Sequence, residues 1–219
     1  MVEISTSILS INKEDLIPVI YNLEIGKTNY FHIDVMDGKF VENNTNELMQ
    51  KYCSSIKLIS NIPLDIHLMV EDALTYINAF IPFNPNIITI HYESFKDKKE
   101  LINTINYIKN NNIRVGLAIK PNTSIEEIYE FTKLIHMILI MTVEPGKGGQ
   151  KIIENTIEKV KNMKEYLKDK NIDIDIEVDG GINIENVNKL KDAGANIIVA
   201  GTSIVNSKNY EETINKLKE

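Results

Sequence analysis

The chain has 219 residues, 43% of them hydrophobic and 25% charged, which suits one domain with one well-buried core. A formal net charge of -7 and the lack of any basic run interleaved with aromatics argue against nucleic acid as a partner, and the single cysteine, Cys53, excludes an intrachain disulfide and a Cys-based zinc cluster. The N-terminal MVEISTSILS has no charged segment followed by a long apolar stretch, and no run approaches the roughly 20 apolar residues that cross a bilayer; a cytoplasmic protein without membrane contact is expected.

Along the chain, short apolar β-branched runs alternate with longer amphipathic ones. The predicted strands are Ile4–Leu9, Tyr30–Val35, Leu64–Met69, Ile87–His91, Arg114–Ile119, Met137–Thr142, Asp175–Asp179 and Ile197–Ala200, each apolar enough to be buried on both faces. Between and after them lie predicted helices at Lys13–Glu24, Asn46–Ile59, Glu71–Ile81, Lys98–Asn111, Ser124–Leu134, Lys151–Lys168, Ile184–Ala193 and Tyr210–Lys218. The sixth has the plainest helical stripe, made of Ile153, Ile157, Val160, Met163 and Leu167. Asn122-Thr123-Ser124 before Glu126 and Glu127, and Asn183 before Ile184-Glu185, read as start signals. Eight such units with short links predict an α/β fold, a (β/α)8 TIM barrel forming a single domain over residues 1–219. An open doubly wound sheet would more naturally show an early Gly-x-Gly-x-x-Gly turn, and Ser7–Ile11 contains no glycine.

A barrel places its chemistry at the C-terminal ends of the strands. In Phe31–Val41, FHIDVMDGKFV, His32 and Asp34 are two apart and project together. Three of the four histidines, His32, His67 and His91, fall at strand ends, with Glu93 just beyond; His136 sits at the opposite end of its strand, where a structural role is expected. His32, Asp34, His67 and Asp179 suit one divalent transition metal, zinc, iron, manganese or cobalt, with positions left for substrate oxygens. The set is too rich in nitrogen for a dedicated magnesium or calcium site. Asp34 and Asp179 come from strands far apart around the barrel, the arrangement an epimerisation needs: one carboxylate removes a proton α to a carbonyl and the other returns one from the opposite face. Gly146, Gly148 and Gly149 in EPGKGGQ, Gly180-Gly181, and Gly201-Thr202 can present backbone N–H groups to a phosphate. Met36, Met69 and Met141 recur beside the expected ligands, either as core filling or as a soft, dry lining.

These stretches resemble the ribulose-phosphate 3-epimerase family. The likeness runs through SILS (Ser7–Ser10), HIDVMDGKFV (His32–Val41), DIHLMV (Asp65–Val70), MTVEPGKGGQ (Met141–Gln150), EVDGGIN (Glu177–Asn183) and AGTSIV (Ala200–Val205). The resemblance implies interconversion of ribulose 5-phosphate and xylulose 5-phosphate, with Asp34 and Asp179 as the acid/base pair and His32, Asp34, His67 and Asp179 holding the metal. It implies substrate contacts from Ser7 and His67, and phosphate binding by the loop Gly146, Lys147, Gly148 and Gly149 together with Gly180, Gly181, Gly201 and Thr202.

Three positions depart from the family's pattern: Glu42 stands where a proline is usual, Lys147 where a phenylalanine is usual, and Thr202 where a serine is usual, which keeps a hydroxyl. An epimerase for allulose 6-phosphate, with the same chemistry on six carbons, is the nearest rival reading. A decarboxylase on a related barrel is disfavoured, because His32–Asp37 lacks the lysine of an Asp-x-Lys-x-x-Asp strand end. A non-catalytic sugar-phosphate-binding barrel would be expected to have lost a carboxylate or ligand, and none is lost. The expected partner is a small phosphorylated ketose, and self-association into a homo-oligomer is expected.

Overall fold

In the computed structural model, which describes residues 2–219, the apolar runs form eight strands. They are β1 (Glu3–Ser7), β2 (Tyr30–Met36), β3 (Leu64–Met69), β4 (Ile87–His91), β5 (Arg114–Ile119), β6 (Met137–Met141), β7 (Asp175–Asp179) and β8 (Ile197–Ala200). All neighbours pair parallel, and β8 pairs back onto β1, closing the barrel in chain order as expected. Outside it lie α1 (Leu16–Ile25), α2 (Asn46–Ile59), α3 (Ala73–Phe80), α4 (Lys98–Asn110), α5 (Asn155–Asp169), α6 (Val187–Ala193), α7 (Thr202–Val205) and α8 (Tyr210–Lys218). Among the described residues no helix is long and apolar enough to cross a membrane.

The departures from the expected helices have local causes. The helix expected over Ser124–Leu134 is a 3-10 helix at Ile125–Phe131, whose inward residues Ile125, Ile128 and Phe131 recur every third position, the period of that helix. The one expected from Lys151 starts at Asn155, because the Ile153 N–H is drawn to the Thr142 carbonyl, 2.8 Å away, rather than into a helical turn. α6 starts at Val187 rather than Ile184: Asn183 and Asn186 hold each other's neighbourhood in side-chain turns, with Glu185 N–H donating to Asn183 Oδ1 at 2.8 Å and Asn183 N–H to Asn186 Oδ1 at 2.9 Å. α7, a single turn after Gly201, has no periodic signal in the sequence.

The strand alternation divides two interiors. Phe31, Ile33 and Val35 of β2 and Leu64, Ile66 and Leu68 of β3 point outward into the main core beneath the helices. The alternate set points inward: His32, Asp34 and Met36 on β2, and Asp65, His67 and Met69 on β3, all buried. The barrel interior also holds two apolar clusters, Ala118, Leu139 and Met141 near the mouth and Ile87, Met137 and Ile197 below. At the far end Arg114 Nη2 meets Asp175 Oδ2 at 2.5 Å. There, too, His136 is structural as expected, its Nδ1 accepting the Val115 N–H at 3.0 Å. Cys53 is fully buried on α2, and burial pushes its thiol up to about 12, as suits an inert packing residue.

At Gly116 on β5 the inner packing leaves no room for a side chain, since an added Cβ would stand 2.2 Å from Thr89 Oγ1 and 3.1 Å from Met137 Cε. Gly116→Ala is expected to destabilise the barrel by about 1–3 kcal/mol through overpacking, and Thr89→Ala in the same chain to recover part of that. Chemical denaturation of the single and double variants measures both.

Candidate active site

Strand register brings the expected ligands together. In the β2–β3 ladder His32 lies opposite Asp65 and Asp34 opposite His67, while β6–β7 places Met141 beside Asp179. His32 Nε2 is 3.4 Å from Asp34 Oδ1 and 4.0 Å from Asp179 Oδ2. His67 Nδ1 is 3.4 Å from Asp34 Oδ1 and 3.7 Å from Asp179 Oδ2, and the two ring nitrogens are 3.4 Å apart. One atom from each of the four residues therefore lies within 4.8 Å of all the others. Two imidazole nitrogens and two carboxylate oxygens converging on one point are a donor set that fits a divalent transition metal.

The charges in this cluster are unequal. Burial works against ionisation of Asp34, yet His32 and His67 beside it hold its carboxyl well below the usual carboxylate range. Burial, and then the Asp34 carboxylate, push Asp179 the other way, up to about 7. Burial also opposes a charged His32, but the Asp65 and Asp34 carboxylates outweigh it and hold its pKa well above the ordinary value. His67 is lowered, by burial first.

Above the cluster opens a cavity of about 420 Å³. Its floor and walls bring Ser7, Asp34, Asp179 and the three methionines Met36, Met69 and Met141 together with Gly146, Lys147, Gly148, Gly149, Gly180, Gly181, Gly201 and Thr202. His32 and His67 are wholly buried beneath the two carboxylates and expose no surface to it. Ser7 donates its hydroxyl to Asp34 Oδ2 at 2.7 Å. Gly181 needs its absent side chain: its φ is +68°, and a Cβ would come within 2.6 Å of the Gln150 carbonyl oxygen. Two of the positions that depart from the expected pattern face each other, Lys147 Nζ lying 3.5 Å from Glu42 Oε2.

Several residues that support this mouth were not singled out from the sequence. Asp65 Oδ2 is 2.6 Å from His32 Nδ1. Thr45 donates to the Asp34 carbonyl at 2.6 Å and accepts the Met36 N–H at 2.9 Å, fixing the end of β2. Asn43 donates to the Gly146 carbonyl at 2.7 Å and so ties the β2 loop to the glycine loop. The in-register β2–β3 pairing is the signal that could have found Asp65; the loop contacts of Thr45 and Asn43 have none in the local pattern.

Fold and mouth together define a (β/α)8 barrel with an imidazole-backed pair of carboxylates under a glycine-rimmed cavity. The chain matches the Ribulose-phosphate 3 epimerase family over residues 3–205 and belongs to it. It is 34% identical over 219 residues to the ribulose-phosphate 3-epimerase of Bacillus subtilis (strain 168), covering 100% of this chain and 99% of that one. It is 36% identical over 194 residues to that of Helicobacter pylori (strain J99), covering 89% and 87%. Among solved structures, the 3-hexulose-6-phosphate synthase of Salmonella typhimurium superposes with a TM-score of 0.69 at 13% identity, covering 98% of this chain and 96% of that one, a likeness of fold alone.

Because the Asp179 pKa in the fold lies above its ordinary value, the native state gains from its proton at low pH and is penalised as pH rises through about 7. In protein stripped of metal, Asp179→Asn is therefore expected to be more stable than the parent, with an advantage that grows from about pH 4 to pH 7 and reaches at most about 4 kcal/mol. Thermal or urea unfolding at stepped pH values reads this difference directly.

Proposed function

We propose that the chain interconverts D-ribulose 5-phosphate and D-xylulose 5-phosphate by moving a proton at C3. The observation that carries this reading is the pair Asp34 and Asp179, brought by β2 and β7 to the floor of one cavity, where their surroundings push their pKa values apart, Asp34 down and Asp179 up to about 7. In one direction Asp34 takes the C3 proton from one face of the ketose, and Asp179 delivers a proton to the other face. In the reverse direction the roles exchange. The Ser7 hydroxyl on Asp34 Oδ2 fixes the carboxylate's orientation while its other oxygen faces the imidazoles.

His32, Asp34, His67 and Asp179 would hold one divalent transition metal. When bound, such an ion supplies electrostatic stabilisation to negative charge developing on the substrate oxygens. The remaining work belongs to the chain. Met36, Met69 and Met141 line the cavity with polarisable, non-hydrogen-bonding surface that keeps water from the reacting carbon. Gly146, Gly148, Gly149, Gly180, Gly181, Gly201 and Thr202 take the phosphate at the rim with backbone N–H groups. Lys147, two-thirds exposed beside Glu42, adds a positive charge at the same edge.

Turnover of ribulose 5-phosphate in deuterium oxide is expected to yield xylulose 5-phosphate carrying deuterium at C3, seen by proton NMR. Asp34→Asn and Asp179→Asn should each lower kcat by roughly a hundredfold or more while leaving the circular dichroism spectrum intact. Near-parental turnover in either variant, or product without deuterium at C3, would sink the two-carboxylate mechanism. Dialysis against a chelator should silence the enzyme, and added zinc, manganese or cobalt should restore it; full activity with no bound metal would remove the ion from the scheme. Allulose 6-phosphate run in parallel tests the six-carbon reading.

A further inference from the structure

His91 and Glu93, at and just past the end of β4, have no part in the proton transfers above, yet they are built onto the site. His91 is wholly buried, and its Nε2 lies 2.9 Å from His67 Nε2. The ring planes are 25° apart and the centroids 5.0 Å apart, so the rings approach end to end through the two Nε2 atoms, which fits an N–H···N bond. On its other side His91 Nδ1 is 3.0 Å from Glu93 Oε2. The second oxygen of Glu93 accepts the Lys120 backbone N–H at 2.7 Å and the Thr123 hydroxyl. Phe40 covers the outer edge of His91, ring centroids 4.8 Å apart.

The hydrogen positions follow from what each group can give. The Glu93 carboxylate is surrounded by donors and is itself an acceptor, so His91 Nδ1 carries a hydrogen. A neutral imidazole has one N–H, so His91 Nε2 is a lone pair and must accept from His67 Nε2. His67 Nδ1 is then a lone pair directed at Asp34 Oδ1, 3.4 Å away, and Asp179 Oδ2, 3.7 Å away. A lone pair turned toward two carboxylate oxygens is an arrangement that a cation between them completes.

We infer that His91 and Glu93 are positioning residues that lock His67 in the tautomer whose Nδ1 faces the metal. The inference rests on the metal site proposed above. Relays of this kind raise the basicity of the ligand and fix its ring, and losing one commonly weakens metal binding by roughly 10- to 100-fold.

The test uses the whole chain labelled with 15N-histidine and stripped of metal. Long-range 1H–15N correlation should show His91 protonated at Nδ1 and His67 at Nε2; His67 protonated at Nδ1, or His91 at Nε2, overturns the relay. Zinc affinity is then measured by competition with a chromophoric chelator. His91→Phe keeps a ring against Phe40 and His67 but removes the acceptor, and is expected to bind zinc roughly 10- to 100-fold more weakly. Glu93→Gln keeps an oxygen to accept from Nδ1 and should lose less. An affinity for His91→Phe within about threefold of the parent overturns the positioning role. Should His91→Phe fail to fold, the tautomers of the parent protein and the zinc affinity of Glu93→Gln still decide. A parent chain that shows these tautomers but binds no zinc overturns the metal reading, and with it the role assigned to the relay, while leaving the hydrogen-bond geometry intact.

Discussion

The pairing of β2 with β3 is the constraint from which the mouth of the barrel is built. Because side chains alternate faces, the in-register ladder puts His32 with Asp65 and Asp34 with His67 on the inside. A slip of one residue would turn Ile33, Ile66 and their neighbours into the barrel and the ligands out toward the helices. That slip is opposed by the outward set, Phe31, Ile33, Val35, Leu64, Ile66 and Leu68, all buried in the main core. Each such side chain contributes about 1.5–3 kcal/mol by leaving water. The apolar face outside thus holds the polar face inside in register.

Burying charge in this way is costly, of the order of several kcal/mol per unpaired ion. The interior manages it by pairing and by neutralisation. Asp65 accepts the Ser5 hydroxyl at 2.7 Å and lies 2.6 Å from His32 Nδ1, and these contacts overcome its burial and keep its pKa low. Glu177, one layer below Asp179 on β7, goes the other way: burial and the Asp65 carboxylate push it well above its usual range, which favours its neutral form. His32, Asp65 and Glu177 are also close enough to suggest a second ion site. The short contact between Asp65 and His32 Nδ1 argues otherwise, since that nitrogen is occupied as a donor while Nε2 faces the upper cluster. The lower group is better understood as the support that aims His32.

The strands and the ligand-bearing ends were legible because both obey local rules: a buried parallel strand is a short apolar run, and His32-x-Asp34 shows its shared face by spacing alone. The helix starts near Ser124, Lys151 and Ile184 were less legible, because each is decided by contacts the local period does not carry, such as the Ile153–Thr142 hydrogen bond. The same is true of the site. His91 and Glu93 were visible as strand-end residues, but their relation to His67 depends on β4 lying beside β3. Glu42 and Lys147 were two separate departures from a family pattern, 105 positions apart in the chain, and only the closed fold shows them facing each other. With both mostly exposed, at 88% and 67%, their attraction is worth little on its own.

That pair matters instead through where β2 leads. The strand that supplies His32 and Asp34 continues into a loop that reaches across the mouth, where Asn43 holds the Gly146 carbonyl. Val41 packs so closely there that a Cβ on Gly146 would stand 2.9 Å from its own Cβ, and Gly146 has a φ of +109°. A side chain at 146 would therefore push the glycine loop off the β2 loop and strain its backbone at once. The position of Lys147 follows from that contact rather than from its ion pair. One segment of chain, from His32 to Asn43, thus positions two of the candidate metal ligands, one of the two carboxylates and the loop that rims the phosphate edge, which couples the geometry of proton transfer to the geometry of the cavity's entrance.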